Sequence, residues 1–537
     1  MPESSSESTA AGLRKEQDLS AFAPLRWPVF RMLWVTWLAA NTTMWMNDVS
    51  AAWLMTSLNT TPLWVALVQT ASTLPVFLLG LPSGALADTL DRRRYFMITQ
   101  FWIAGVAILM CIAVVTHVMS APMLLVLTFF NGIGLAMRWP VFAAIIPEVV
   151  PRPQLPAALA LNGVSMNGSR IIGPLVAGAL IASAGIEWVF VLNAVLSLTA
   201  AFIIMRWRRE HRESPLGRER LPSAMRVGLQ YVRQSQRMRA NLLRVFLFFL
   251  HSTALLALLP LLARALPGGA AGTFTLLLAS MGAGAIIAAL SMPRIRRMMP
   301  LERLILIGTS LQSVSALAVA WSPSIYLAVP AMMLAGAAWI AVANSLTVAT
   351  QVALPDWVRA RGMSIYQMAL MGSTALGAAT WGQIATWTDI HTSVGIAAVS
   401  SIVTMLVAQK LAPDRGMEED LTPSKALKAP VAEAPPAAGR VQVQIEYRID
   451  PQRNAEFEQV MQESRRSRMR QGALAWELLH DLYDPGRYVE QITDESWTEH
   501  LRRFDRVTAG DVVLRDRKLA FHLGETPPVV SRFLLRD

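Results

Sequence analysis

Two charged side chains, Asp48 and Arg170, stand well inside apolar stretches of this chain. At the centre of a membrane helix each would cost about 2.5–3.5 kcal/mol, so each needs a partner or a water-filled cavity. A carboxyl so placed can lose and regain a proton. A neighbouring guanidinium depresses its pKa in one state and releases it in another, which would couple protonation to a change of shape. Counted inward from Ser57 and Ser183 at 1.5 Å per residue, Asp48 lies about 13 Å deep and Arg170 about 20 Å deep, a gap that an arginine side chain can close. The competing reading is a permanent structural ion pair. Arg138 lies nearer a helix end.

Uncharged polar and aromatic groups share the same stretches: Asn41, Trp45, Asn47, Asn131, Asn162, Asn167, His251, Trp339, Asn344, Tyr366 and Gln367. Together they are candidates to line a cavity at mid-membrane depth. Singly, each reads equally well as an interhelical hydrogen bond of about 0.6 kcal/mol, and His251 as a satisfied structural histidine.

The elements that must position these groups are long apolar runs. The chain has 537 residues, 53% hydrophobic and 16% charged, and such runs are transmembrane helices, because only a helix satisfies its own backbone in lipid at that length. From Leu304 to Pro355 no residue is charged, and the turn-like Trp321-Ser-Pro-Ser324 divides the block into two spans. The same rule applied throughout gives twelve helices: 31–56, 63–87, 95–117, 122–146, 157–183, 187–206, 242–263, 272–292, 302–321, 324–349, 362–387 and 391–410. Basic residues gather on one side of these spans, around Arg92–Arg94, Arg152, Arg206–Arg244, Arg294–Arg303, Arg359, Arg361 and Lys410, whereas the opposite loops hold almost only Arg264. The rich side is expected to be cytoplasmic, with both termini there. The net charge of +11 therefore reports topology, not a nucleic-acid partner. Residues 440–537 carry 16 Lys and Arg against 17 Asp and Glu, so the excess belongs to the membrane part and its flanks.

A gapless register of 204 residues relates the two halves. It carries Gly80 to Gly284, Arg92 and Arg93 to Arg296 and Arg297, Gly132 to Gly336, Gly173 to Gly377 and Gly178 to Gly382. Duplication of a six-helix unit is a common way to build a transporter. Two motifs sit on this frame. Gly84, Asp88, Asp91, Arg92 and Arg93 join the second and third spans, where Gly84 permits close approach of helices and Asp88 can accept hydrogen bonds from a helix terminus and from Arg92. Gly168, Gly173, Pro174 and Gly178 give the fifth span a small-residue face and a bend. The alternatives are a solvated topogenic loop and a plain packing kink.

The loop Gly84-x-x-x-Asp88-x-x-Asp91-Arg92-Arg93 resembles the signature of the major facilitator superfamily, with Thr89 where a basic residue is usual and Asp91 where a glycine is usual. In that family the cluster latches the cytoplasmic side. The Gly-Pro segment is similar to that of the superfamily's exporters, where it is associated with sealing one side against leak. Phe30-Arg-Met-Leu-Trp34, Trp45 to Thr56, Leu74-Pro75 and Leu81 to Asp88 resemble more narrowly the transmembrane secretion effectors, relatives of the enterobactin exporter. The resemblance covers about residues 25–412. It implies that the first and fifth helices are neighbours, so that Asp48 and Arg170 can meet, and that the chain exports a small molecule such as a siderophore, drug or metabolite across a bacterial inner membrane by proton antiport. No Gly-x-x-x-x-Gly-Lys-Ser/Thr phosphate-binding loop is present, so an ion gradient or the substrate's own gradient is expected to drive transport. Alternative readings are proton-coupled uptake and a membrane-tethered, monooxygenase-like enzyme.

The remaining segments divide as follows: a disordered tail at 1–25, bundles at 26–206 and 242–411, a basic loop at 207–241, a Pro- and Ala-rich linker at 412–439 and a soluble domain at 440–537. Within the basic loop, Leu221, Met225, Leu229 and Val232 fall at helical spacing opposite Arg226, Arg233 and Arg237, which suits a helix on the inner membrane surface or a plain charged linker. In the soluble domain the order βαββαβ, with a last strand near Leu519–Leu523, predicts a ferredoxin-like α+β fold. It looks like the small dimeric barrels that include antibiotic-biosynthesis monooxygenases, which implies a homodimer through this domain. Trp476, His480, Trp497 and His500 suggest a haem or substrate site, against a core or surface role. A regulatory or ligand-sensing module is the preferred reading, with no cofactor and no catalysis. The single cysteine, Cys111, excludes an internal disulfide and a cysteine-rich metal site.

Overall fold

The computed structural model describes residues 22–89, 91–151, 154–206, 221–355, 357–412, 420–424, 426–427, 430 and 439–536. The amino-terminal tail before residue 22, the loop at 207–220 and most of the linker lie outside the described residues. Each apolar run folds as a helix. These are α1 (Pro28–Leu58), α2 (Pro62–Thr89), α3 (Arg92–Val115), α4 (Ala121–Val149), α5 (Leu155–Ser183) and α6 (Glu187–Arg206). After α7 (Leu221–Gln234) follow α8 (Gln236–Ala265), α9 (Ala271–Met298), α10 (Leu301–Ala320), α11 (Ile325–Val352), α12 (Arg359–Trp387) and α13 (Ile390–Leu411). Apart from α7 these are the twelve transmembrane helices, and at several ends they run past the apolar runs. Among the described residues, ten are long and apolar enough to cross a bilayer by composition alone. The two that are not, α1 and α12, are equally long but carry Asn41, Asn47, Asp48, Tyr366 and Gln367. Their polarity is what an inward-facing helix tolerates and a lipid-facing one does not.

The chain forms two compact units. The first comprises residues 1–213, 244–346 and 367–411, and the second residues 214–243, 347–366 and 412–537. Small residues set the packing of the first, and they repeat. A Cβ on Gly173 of α5 would stand 2.5 Å from Trp45 Cβ and 3.0 Å from the Thr42 carbonyl of α1, while one on Gly377 of α12 would stand 2.3 Å from the Leu250 carbonyl of α8. One turn further, Gly178 meets Thr275 of α9, and its counterpart Gly382 meets Ala66 and Leu63 of α2. The 204-residue register therefore relates packing partners as well as letters: α1 with α5 as α8 with α12, and α5 with α9 as α12 with α2. Two six-helix pseudo-repeats make the bundle.

The second unit contains α7, the junction between α11 and α12, and the soluble domain. The domain runs β1 (Val441–Arg448), α14 (Asn454–Arg470), β2 (Ala475–His480), β3 (Arg487–Asp494), α15 (Trp497–Asp505), α16 (Ala509–Leu519) and β4 (Val529–Leu534). Its four antiparallel strands lie in the order β2-β3-β1-β4, with Ile445 opposite Glu490 and Val530. Phe457, Met461, Tyr447 and Tyr488 pack in its core. The last strand is at Val529–Leu534 rather than near Leu519–Leu523, because Thr508 and Asp511 form a capping box that starts a further helix ending at Leu519.

The apolar stripe of α7 also differs from its sequence pattern. Leu229 is exposed, while Val227, Tyr231 and Val232 are buried. Tyr231 donates to the Ala353 carbonyl at 2.9 Å and meets Trp357 edge to face. Arg226 pairs with Glu495 at 2.7 Å, Ser223 donates to the same carboxylate at 2.8 Å, and Gln230 donates to the Ala473 carbonyl. The helix is thus a platform for the soluble domain, and its buried side is rotated toward the domain relative to the leucine stripe.

Candidate functional site

Helix α1 and helix α5 are packed neighbours, as the Gly173–Trp45 approach requires. This brings Asp48, Trp45 and Arg170 into one region but does not join the two charges. Asp48 is half-buried and accepts a hydrogen bond from Ser72 Oγ of α2 at 3.0 Å. The Arg170 guanidinium lies instead between two indoles, 5.2 Å from the ring centre of Trp45 and 4.2 Å from that of Trp339. Its Nη1 is buried and has no hydrogen-bond partner. No ion pair links Asp48 to Arg170. The physical reason is that Asp48 is about one turn nearer its helix end and faces α2, whereas Arg170 faces the seam with α11.

That seam is the boundary between the repeats. Trp45 belongs to the first and Trp339 to the second, so Arg170 is a cation held by one aromatic face from each half. Indole faces are the strongest neutral partners for a guanidinium, worth up to about 2 kcal/mol when desolvated. Trp339 also meets Phe249 of α8 edge to face at 5.5 Å. Towards the end of the bundle where α1 finishes, the halves meet again. Arg264 donates to the Thr56 carbonyl at 2.8 Å and lies over Trp53, which stacks on Phe274.

Arg138 is more completely enclosed than its place near a helix end suggests. It is 1% exposed, and its guanidinium donates to the Ala40 carbonyl at 3.0 Å and to Asn41 Oδ1 at 3.4 Å, beside Trp37. A cation before the Trp139-Pro140 step, inside a run otherwise apolar, was the available signal. A second tie without a sequence signature is Arg244 of α8, which is buried and pairs with Glu302 of α10 at 2.7 Å.

The remaining cavity candidates divide. Asn131 is buried, and Asn47 is buried with neither side-chain polar atom bonded. Asn162 is half-buried with an unbonded Oδ1, and Asn344 and Gln367 are half-buried. His251 contacts the Leu247 carbonyl through Nδ1 at 2.7 Å and packs on Trp381, which satisfies it structurally. In the second unit, Tyr366 and Thr347 share a hydrogen bond of 2.8 Å. The side chain of Asn167 lies outside the described residues. Within the Gly-Pro segment, Gly173 and Gly178 make the close approaches already given, Pro174 lies inside α5, and Gly168 has no neighbour within 4 Å of a Cβ.

At the loop between α2 and α3, the Asp91 carboxylate caps α3 by accepting from the Arg94 backbone N–H at 2.9 Å. Arg93 reaches the last turn of α6, donating to the carbonyls of Ile204 and Met205. A cation on orphan carbonyls is the favourable C-terminal arrangement. The side chains of Gly84, Asp88 and Arg92 lie outside the described residues. Among the described residues no group of three His, Cys, Asp or Glu gathers as metal ligands would.

The arrangement is that of a solute carrier, with protonatable and cationic groups inside a bundle and a duplicated scaffold around them. Solved structures share this fold. A POT family transporter in complex with 5-aminolevulinic acid is 12% identical, covering 72% of this chain and 96% of that one at a TM-score of 0.60. The nucleoside transporter NupG is 13% identical, covering 72% and 99% at 0.56. The fucose:proton symporter of E. coli is 16% identical, covering 71% and 98% at 0.51. No curated protein matches the chain by sequence. The family model described as transmembrane secretion effector matches residues 19–537, through the soluble domain to the last residue. With its duplicated bundle and this match, the chain belongs to the transmembrane secretion effector family of the major facilitator superfamily.

Proposed function

We propose that this secondary transporter exports a small organic molecule, such as a siderophore, drug or metabolite, by proton antiport with alternating access in a bacterial inner membrane, both termini lying in the cytoplasm. The observation that carries the proposal is Arg170, a first-half cation stacked between Trp45 of its own half and Trp339 of the other. A group bound to both halves holds one state of the bundle. An anionic or polar solute that draws the guanidinium away breaks the bridge between the halves. Asp48, hydrogen-bonded only by a serine hydroxyl, is the carboxyl that gains the proton when its surroundings open to the other side. The two act in sequence, in this reading, rather than as a permanent ion pair. The loop carrying Asp88, Asp91, Arg92 and Arg93 acts as the conformational latch, and the described portion supports that role through Arg93 on the end of α6.

The family's description as a secretion effector supports the outward direction, and proton coupling has a precedent in the fucose:proton symporter of similar fold. The soluble domain pairs two copies of the chain through β4, the edge strand of its sheet, whose Val529 and Phe533 are exposed. Deletion of the gene, followed by comparison of small molecules inside and outside the cell, tests substrate and direction together. Export predicts a metabolite retained in the deletion strain. Its accumulation in everted vesicles on imposing a proton gradient then tests antiport, and gradient-driven accumulation in right-side-out vesicles alone identifies uptake and rejects the proposal.

A further inference from the structure

A cavity of about 250 Å³ opens between the sheet and the helices of the soluble domain. Its walls are largely apolar, including Val443, Ile445, Phe504 and Val530. The charged residues on its lining, among them Arg468, Arg503 and Lys518, are tied to carboxylates behind it. On β3, Glu490 is fully buried and accepts from Tyr447, Ser464, Trp476 and Lys518 at 2.8–3.1 Å, with Arg468 3.6 Å away. Four residues on, Asp494 accepts from Arg503 Nη1 through both oxygens and from His500 Nδ1 at 2.8 Å. Arg532 Nε then donates to His500 Nε2 at 3.3 Å. These bonds assign the neutral imidazole with its proton on Nδ1.

The chain Asp494–His500–Arg532 therefore orients a guanidinium in the cavity wall without neutralising it. Glu490 lies against both Lys518 and Arg468, Asp494 against Arg503, Asp516 pairs with Arg515, and the lining carboxylate Asp511 accepts from Ser467 and Thr508. Among the described residues no carboxylate pairs with Arg532. One further donor on the lining lacks a partner although its residue is more than nine-tenths buried: Arg503 Nε. A fully apolar ligand would leave these groups unmet, and a small inorganic anion would leave the walls empty. The matching ligand has an apolar body and one anionic head.

We propose that this cavity is a binding site for small apolar monocarboxylates, with Arg532 receiving the carboxylate and Val443, Ile445 and Phe504 the body. The site is distinct from the transport pathway and does not rest on the proposed export activity. Glu495, next in sequence to Asp494, accepts from Ser223 and Arg226 of α7.

The test uses the full-length protein in lipid nanodiscs and equilibrium binding of hexanoate, octanoate, benzoate and 2-naphthoate, each against its alcohol. At least one acid is expected to bind saturably, about tenfold more tightly than its alcohol. Arg532→Gln should remove that preference, and Val530→Trp, which fills the cavity and keeps the charge, should remove binding. Val530→Ala, which keeps the cavity open, should retain it and so separates filling from damage. The proposal fails if none of the four acids binds above empty nanodiscs, if acid and alcohol bind alike, or if binding survives Val530→Trp, as it would for a site in the membrane bundle.

Discussion

Asp48 and Glu490 are both carboxylates on the inner side of a packed element, and the protein treats them in opposite ways. Glu490 has four hydrogen-bond donors and two cations around it, whereas Asp48 has one serine hydroxyl. The cations divide likewise. Arg503 lies against both oxygens of Asp494, but Arg170 has only indole faces and Arg138 a carbonyl and an amide. A buried charge locked by opposite charges stabilises one arrangement, since removing either partner leaves the other stranded. A charge held by neutral dipoles and aromatic faces can exchange them for a solute or a proton at small cost. On the proposed mechanism, the soluble domain uses these charges to stay as it is and the bundle uses Asp48 and Arg170 to move, although Arg244 and Glu302 form a pair of the locking kind within it.

The sharpest way to break this contrast is to delete one carboxylate from each region and compare the outcomes. Glu490→Ala strands Lys518 and Arg468 and is expected to destabilise the soluble domain by about 3–5 kcal/mol, read as loss of hydrogen-exchange protection in β1 and β3 of the full-length protein. The same group predicts a pH dependence. Burial alone would raise the Glu490 carboxyl, but Lys518 and Arg468 outweigh it and hold it well below the usual carboxylate range. Its stabilisation is therefore complete above about pH 4.5, the unfolded value, and fades as pH falls through the lower folded value. Protection of the domain that stays constant from pH 6 down to pH 2 would show that this cluster is not what holds it.

Asp48→Asn should behave in the reverse manner. The amide oxygen can still accept from Ser72, and no cation is left stranded, so the thermal midpoint is expected to hold or rise. Proton-driven transport, once the substrate is known, should fall by about tenfold or more, with exchange of substrate down its own gradient retained. An Asp48→Asn protein that unfolds while its coupling survives would reverse the comparison and make Asp48 a structural charge.

How much of this was legible in the sequence follows the physics of each feature. The twelve spans and the duplication are written in run length and spacing, which hydrocarbon enforces one residue at a time. The isolation of Asp48 and Arg170 was equally plain, but their partners were not. Whether a charge meets another charge or an indole depends on helix rotation, and Trp339 lies 169 positions from Arg170 in sequence. The same holds for α7, where leucine spacing suggested one buried face and tertiary contacts with Glu495 and Ala473 selected another. In the soluble domain the strand order was readable from alternation, yet Leu519, Phe521 and Leu523 mimicked a strand where the Thr508–Asp511 capping box begins a helix.

Arg170→Lys sharpens the comparison within the bundle. An ammonium keeps the charge but loses the planar face that lies between Trp45 and Trp339. If the bridge between halves is a cation–π contact, its loss is worth about 0.5–2 kcal/mol, a change of roughly two- to thirtyfold in the balance between states. Trp339→Leu should reproduce it, and the double variant should add little to either single one. Fully additive effects on transport would mean that Arg170 and Trp339 do not act through each other.

The smallest effect is expected where charges are paired but partly wet. Arg226 and Glu495 meet at 2.7 Å with side chains 27% and 36% exposed, and pairs of that kind contribute about 0.2–1 kcal/mol. Arg226→Ala removes the pair and the long contact to the Gly472 carbonyl, but it leaves Ser223 and Gln230 to hold α7 against the domain. Exchange protection in 221–234 should therefore fall by only about two- to fivefold, with β1 and β3 unaffected. Raising salt should shrink the difference between wild type and variant, because the ionic part is screened while the hydroxyl and amide contacts are not. A loss of protection in α7 as large as that caused in the domain by Glu490→Ala would place this ion pair with the locking charges, and α7 would then be a rigid part of the soluble domain instead of a surface on which it rests.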